Sequence, residues 1–154
     1  MYSFDASSMI HAWDNYPPEN AHFDSLWEWF SNNIQNKEFV ISKKAFEEVR
    51  HKIPECGEWL QNHNIEIYNL TPTSLLIARD IKVSLGILEE KYTKGVGEND
   101  LLIISVAQES GATLVTEESR QSVLPTLKSN YKIPAVCNME SVGVECCNFL
   151  SLLK

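Results

Sequence analysis

The sequence predicts a single α/β domain over residues 1–154, a three-layer α/β/α arrangement with helices on both faces of a mostly parallel central sheet. Two observations predict it. Short apolar runs bounded by turn residues alternate with longer stretches of helical periodicity, which is the order that parallel strands and crossover helices require. The chain is also long enough, at 154 residues and 44% hydrophobic content, to bury a core without disulfide or metal staples.

Tyr2-Ser3-Phe4 is short and apolar enough for a buried strand, and Asp5, Ser7 and Ser8 offer caps for a short helix carrying Met9, Ile10, Ala12 and Trp13. Asn15 to Asn20, with Pro17-Pro18, reads as a loop. Phe23, Leu26, Trp27, Phe30 and Ile34 then recur at helical spacing. Phe39-Val40-Ile41 is the next strand, and Ser42 caps a helix whose apolar face is Ala45, Phe46, Val49 and Ile53. Pro54 starts or interrupts a further helical stretch, Glu55 to His63, packing through Trp59 and Leu60, and Ile65-Glu66-Ile67-Tyr68 alternates as a strand does.

Thr71-Pro72 starts a longer helix with Leu75, Ala78, Ile81, Leu85, Leu88 and Tyr92 on one side, expected to end near Gly95 and Gly97. Asp100 begins an almost wholly apolar helix that Gly111 closes before the strand Thr113-Leu114-Val115. Ser119 to Tyr131 is the least regular stretch. Pro134-Ala135-Val136-Cys137 reads as a last short strand, followed by a final element through Phe149-Leu150-Ser151-Leu152-Leu153.

Composition narrows the function. A formal charge of −8 argues against a broad basic nucleic-acid surface. It leaves room for local steering by Lys43, Lys44, Arg50 and Lys52, or by Lys91 and Lys94. No apolar run has bilayer length and no secretory leader is visible at Met1-Tyr2-Ser3-Phe4-Asp5, so a cytoplasmic protein with no membrane contact is expected. The four cysteines show no paired metal spacing and are expected as reduced thiols, Cys146-Cys147 being one core thiol beside one surface thiol. Trp13, Tyr16, Trp27 and Trp29 are dense near the N-terminus, and core packing is their expected use, with an exposed one available to a partner. Neither a Gly-x-Ser-x-Gly elbow nor a phosphate loop is present.

The acids carry more. Asp5, Glu48, Asp100 and Glu118 each stand where an apolar run meets a turn or helix start. In a parallel sheet such positions converge at one crevice, where clustered carboxylates repel and raise one another's pKa unless a hard divalent cation neutralises them. Taken singly, each has an ordinary use: Asp5 and Asp100 as helix caps, Glu117 and Glu118 in a first turn favoured by the helix dipole, Glu48 on a solvated face. On a helical wheel Glu48 lies roughly 115° from the mean apolar direction and Glu47 roughly 145°, so Glu48 is nearer the buried boundary.

In this order the motifs resemble the PIN-domain family of metal-dependent nucleases, from Asp5 to the C-terminus. They are Phe4-Asp5-Ala6-Ser7-Ser8, then Ile41-Ser42 with Glu48-Val49, then Asp100-Leu101-Leu102-Ile103-Ile104 and Leu114-Val115-Thr116-Glu117-Glu118. The branch it resembles most is the VapC-like toxins, and the Ile133-Pro134-Ala135-Val136-Cys137 tail looks like an uncharacterised PIN-like subgroup. The resemblance implies Asp5, Glu48, Asp100 and Glu118 as catalytic ligands of Mg2+ or Mn2+, with Ser7 and Thr116 orienting carboxylates or a coordinated water. It implies hydrolysis of RNA phosphodiester bonds by the toxin of a type II toxin-antitoxin pair, a cognate antitoxin as partner, and a homodimer. Asn99 before Asp100, and Glu118 in place of the commoner Asp or Asn, depart from the pattern. They motivate two alternatives: an inactive PIN-like protein-binding module, or a housekeeping RNA-processing nuclease. No role in the site is assigned to Glu47, Glu98 or Glu117.

Overall fold

The computed structural model describes residues 1–154. Five short strands, β1 (Tyr2–Phe4), β2 (Phe39–Ser42), β3 (Glu66–Tyr68), β4 (Thr113–Val115) and β5 (Cys146–Cys147), form one sheet in the order β3-β2-β1-β4-β5. Every pairing is parallel. The flanking helices are α1 (Ala6–Asn15), α2 (Asp24–Gln35), α3 (Lys43–Lys52), α4 (Pro54–Asn62), α5 (Pro72–Ser84), α6 (Glu98–Ser110), α7 (Ile133–Cys137) and α8 (Phe149–Leu153). The three-layer α/β/α arrangement is therefore as expected.

Register explains where a site can form. Phe4 in the central strand stands level with Ile41 and Val115 on its two neighbours, so Asp5, Ser42 and Thr116 leave the sheet at the same height. The chain departs from β1 toward β2 and β3, then returns to build β4 and β5 on the other side. Crossovers that diverge from neighbouring strand ends leave a crevice there, outside the carboxyl ends of β1 and β4.

Aromatic packing holds that frame. Phe4, Phe30 and Phe39 are fully or almost fully buried, with ring centroids 5.0 Å apart for Phe4 and Phe39 and 4.8 Å for Phe30 and Phe39. Trp27 is buried between Trp13 and Trp59, at 5.6 and 4.9 Å, and its indole N–H donates to the Tyr16 carbonyl at 2.6 Å. The tryptophans therefore serve the core, Trp27 within it and Trp13, Trp29 and Trp59 packed against it, as expected. The middle of α6 is inaccessible, with Leu101, Ile103, Ile104, Ser105, Val106 and Ala107 buried, which is why that stretch is apolar on nearly every side.

Three expectations are corrected. Pro134-Ala135-Val136-Cys137 is not a strand but lies within α7. Proline is suited to a helix's first turn and cannot donate to a ladder, and the last strand is instead Cys146–Cys147, paired with β4. The long helix after Thr71 ends at Ser84 rather than near Gly95: Gly86 adopts φ +71°, its N–H bonds the Val83 carbonyl and the Ile87 N–H bonds the Lys82 carbonyl. This paired closure terminates the helix and leaves Leu88 and Tyr92 outside it, while Leu75 is exposed because Ser74, Ala78, Ile81 and Leu85 form the inward side. Finally, Cys146 and Cys147 are both half-buried, since a two-residue edge strand presents neither face fully to the core.

Gly95 lets the segment after α5 lie directly on residues 128–131, where the Val96 N–H bonds the Tyr131 carbonyl at 2.9 Å. A Cβ at position 95 would collide with the backbone carbonyls of Ser129 and Tyr131. Gly95→Ala is expected to cost about 1–3 kcal/mol, read as a lower urea midpoint with unchanged slope.

Candidate metal centre

Asp5 follows β1 in extended backbone and occupies the N-cap position of α1, yet its side chain caps nothing there. Its Oδ2 instead accepts from the Ser7 hydroxyl at 2.6 Å and the Thr116 hydroxyl at 2.9 Å. Those two hydroxyls lie 3.2 Å apart and in turn accept the backbone N–H groups of Glu117 and Glu118, at 3.0 and 3.2 Å. Ser8 completes the join, donating to the carbonyls of Asp5 and Val115 at 2.7 and 2.8 Å. The result is a carboxylate only 4% exposed, fixed at the junction of the two central strand ends.

The other acids arrive from three further elements. Asp100 stands in the first turn of α6, and its Oδ2 accepts the Gly97 N–H at 3.0 Å. Glu118 follows β4, and its Oε2 accepts the N–H of Ile133, the first residue of α7, at 2.8 Å. Glu48, on α3, is half-buried.

Electrostatics place the four in one field. The Asp100 carboxyl is pushed up from 3.8 to about 6, first by burial and then by the charges of Glu118, Asp5 and Glu48, against the opposing pull of the Gly97 N–H. Glu118 is raised by burial and by Asp5 and Glu48, with the Ile133 N–H and Lys132 pulling the other way. Of the adjacent pair on α3, Glu48 is among the charges that raise both carboxyls and Glu47 is not. The ion pairs of the molecule lie elsewhere, between the Met1 amino group and Glu38 and between Arg79 and Asp80. None of the four carboxylates forms an ion pair with a lysine or arginine, and Lys132 beside Glu118 is the cation that eases their repulsion.

This donor chemistry fits a hard divalent cation. All four candidates offer oxygen, and one oxygen each of Asp5, Asp100 and Glu118 carries no protein donor. As placed, no three His, Cys, Asp or Glu side chains stand together closely enough to hold an ion between them. Gathering around one requires rotation of side chains, and the flexible stems of Glu48 and Glu118 are the ones free to supply it.

The single-residue explanations are sorted by these contacts. Asp5 is not a cap. Asp100 caps its own helix with one oxygen. Glu117 and Glu118 do not lie in the first turn of a following helix, because no helix follows Thr116; they cap distant ones, Glu117 through the N–H of Phe149 at the start of α8 at 2.7 Å. Glu98 is exposed at the start of α6. Sequence reading missed Lys132 and the part Ser8 plays in the site: the contact of Ser8 with Val115 spans 107 residues and leaves no local signature.

Two concavities lie beside the cluster or apart from it. One of about 380 Å³ adjoins the loop after β4 and is lined by Thr116, Glu118, Arg120, Cys146 and Asn148 among others. A second, of about 620 Å³ between Leu124, Tyr131 and Met139, takes in none of the four acids.

A family model described as a domain of unknown function, DUF4411, matches residues 2–154. The fold is similar to that of VapBC2 from Rickettsia felis, in a crystal structure with a DNA fragment from their promoter, at 17% identity and a TM-score of 0.59 over 96% of this chain and 98% of that one. PAE2754 from Pyrobaculum aerophilum is also similar, at 16% identity and a TM-score of 0.47 over 86% and 83% of the two chains. No curated protein matches the sequence.

Proposed function

From a chain that belongs to the DUF4411 family, a PIN-like family whose fold is that of VapC-like proteins, we propose a metal-dependent endoribonuclease that acts as the toxin of a toxin-antitoxin pair. The observation that carries the reading is the set of four carboxylates from four elements, in which burial and the charges of Asp5 and Glu48 raise Asp100 and Glu118 and no acid of the set forms an ion pair. Asp5, Glu48, Asp100 and Glu118 would hold Mg2+ or Mn2+. Such an ion supplies charge neutralisation for a phosphodiester and acidity for a water molecule.

The chain's own residues do the rest. Ser7 and Thr116 keep the Asp5 carboxylate in one orientation, so that its unoccupied oxygen points where an ion is needed without losing side-chain freedom on binding. Asp100 is held at the N-terminus of α6 through Gly97, and Glu118, whose Oε2 accepts the Ile133 N–H, would offer its other oxygen to the ion. Lys43, Arg50 and Lys52, all exposed on α3 with Glu48, offer cations to an approaching phosphate backbone in an otherwise acidic molecule. The solved VapBC2 assembly supports an antitoxin as partner, and pairing of two copies belongs to the same reading.

Purified protein incubated with structured RNA is expected to cut it in Mn2+ or Mg2+ and to stop on addition of EDTA. Cleavage that is indifferent to EDTA would overturn the assignment. Thr116→Val, which removes one hydroxyl from Asp5, is expected to reduce the rate about 10–100-fold without unfolding the protein. Expression in cells distinguishes a toxin, which arrests growth unless its partner is present, from a housekeeping nuclease, which does not. A second reading, a binding module that no longer cleaves, is favoured by the engagement of Glu118 and Glu117 with the starts of α7 and α8, and it predicts a folded protein without metal binding.

A further inference from the structure

Two of the four free cysteines share a small recess that the acid cluster does not use. Cys137 ends α7 and Cys146 opens β5, and both line a cavity of about 180 Å³ together with Arg120, Pro134 and Gly143 among others. The intervening turn returns the chain on itself, with the Val144 N–H bonding the Cys137 carbonyl at 3.1 Å. The two thiols are neighbours in the lining of this recess, and each shifts the acidity of the other. They differ in access: Cys137 is 1% exposed, whereas Cys146 is half-buried and also lines the cleft of about 380 Å³ beside the loop after β4. Arg120 reaches over from that loop and donates to the Cys146 carbonyl, which brings a guanidinium beside the sulfur.

We propose that Cys146 and Cys137 form a reversible thiol oxidation site, in which Cys146 is attacked first by a hydroperoxide and Cys137 resolves the product as an intramolecular disulfide. A cation beside an accessible sulfur, and a second thiol buried behind it, is the arrangement in which the outer cysteine reacts and the inner one waits. Acidity runs the same way. The Cys146 thiol is lowered by its contact with Cys137 and by Arg120, against burial and the charges of Asp5 and Glu118, while Cys137 is raised by the same contact and by burial.

In the first step the Cys146 thiol gives its proton to solvent, and its sulfur attacks one peroxide oxygen. The S–O bond forms as the O–O bond breaks, leaving Cys146 sulfenic acid and hydroxide. In the second, the Cys137 sulfur displaces the sulfenic oxygen, and that oxygen leaves as water with the Cys137 proton. Two thiols and one peroxide become one disulfide and two waters, the sulfurs oxidised by two electrons and the peroxide reduced by two. A reducing thiol pool reverses the bridge.

Cys56, fully buried and raised to about 12, has no part in this, and Cys147 does not line the recess that Cys137 and Cys146 share. The bridge would tie the end of α7 to β5. Glu118 rests on the start of that same helix, so oxidation acts on the wall that positions one of the four acids.

The test treats the whole reduced protein with stoichiometric hydrogen peroxide, then blocks free thiols and maps peptides without reduction. The expected result is loss of two hydrogens in intact mass and one linked pair of peptides carrying Cys137 and Cys146, formed at least about tenfold faster in native protein than in urea. Cys137→Ser should leave a sulfenic acid at Cys146 that a 1,3-dicarbonyl reagent traps, and Cys146→Ser should leave Cys137 unmodified. A bridge between Cys146 and Cys147, a linkage that forms equally fast in urea, or native wild-type protein that retains four free thiols would each overturn the proposal.

Discussion

Replacing Asp5 by asparagine is expected to lower the rate of divalent-dependent RNA cleavage by at least about 100-fold while leaving the protein folded. Asparagine matches aspartate in size and its amide oxygen can still accept from Ser7 and Thr116, the two donors on Oδ2. The other oxygen becomes an amide nitrogen, which carries protons toward the place where a cation would sit and removes the charge that attracts it. The same change also has a signature in the absence of metal. Asp5 raises both Asp100 and Glu118, so Asp5→Asn should bring both carboxyls down toward ordinary values, measurable by NMR titration of their side-chain carbons. Wild-type cleavage by this variant would reduce Asp5 to a structural clasp between β1 and β4.

Asp100 makes the second large prediction, in stability rather than rate. Its folded pKa, about 6, lies above the ordinary 3.8, so between those values the folded state holds more protons than the unfolded one. Stability of the metal-free protein therefore falls as pH rises from about 4 to about 6 and stays low above that. At about 1.4 kcal/mol per tenfold change in acidity, reduced for partial contact with water, the loss from Asp100 is about 2 kcal/mol. Glu118, raised for the same reasons, adds in the same direction.

A divalent ion at neutral pH should reverse this loss. At 100 times its dissociation constant it stabilises by about 2.7 kcal/mol, which for a chain of this size is a rise of roughly 5–10 °C in melting temperature. Asp100→Asn keeps an acceptor for the Gly97 N–H, so the start of α6 survives. The variant is expected to be more stable than wild type at pH 7 in EDTA, to flatten the slope between pH 4 and 6, and to lose most of the response to Mn2+. Thermal melts of both proteins across that range, with EDTA and with Mn2+, check all three outcomes. An unchanged Mn2+ response in the variant would remove Asp100 from the ligand set.

Patterns with a short period are legible in the sequence alone. Thr113–Val115 and Phe39–Ile41 are apolar because both faces of a parallel strand are covered, and Ser42 and Gly111 mark helix ends because their backbone roles are local. Where two local codes compete, the sequence misleads: Ile133-Pro134-Ala135-Val136 suits a buried strand or a short helix equally, and only the vacancy beside β4, filled by Cys146–Cys147, separates them. The long apolar stripe after Thr71 is cut at Gly86, whose left-handed conformation a wheel drawn through Leu88 ignores.

By itself, then, the sequence determined the class of fold, four of the five strands and most helices, and the short register of acids at their ends, because each depends on residues within a turn or two of one another. Tertiary structure alone decided what those acids do. Asp5 is held by Thr116 across 111 residues, Glu118 leans on Ile133, Glu117 on Phe149, and Glu48 rather than Glu47 enters the field of Asp100. These are consequences of which strand lies beside which. A carboxylate's partner, charge environment and burial are set by neighbours in space, and the linear order of residues carries them only through the topology it produces.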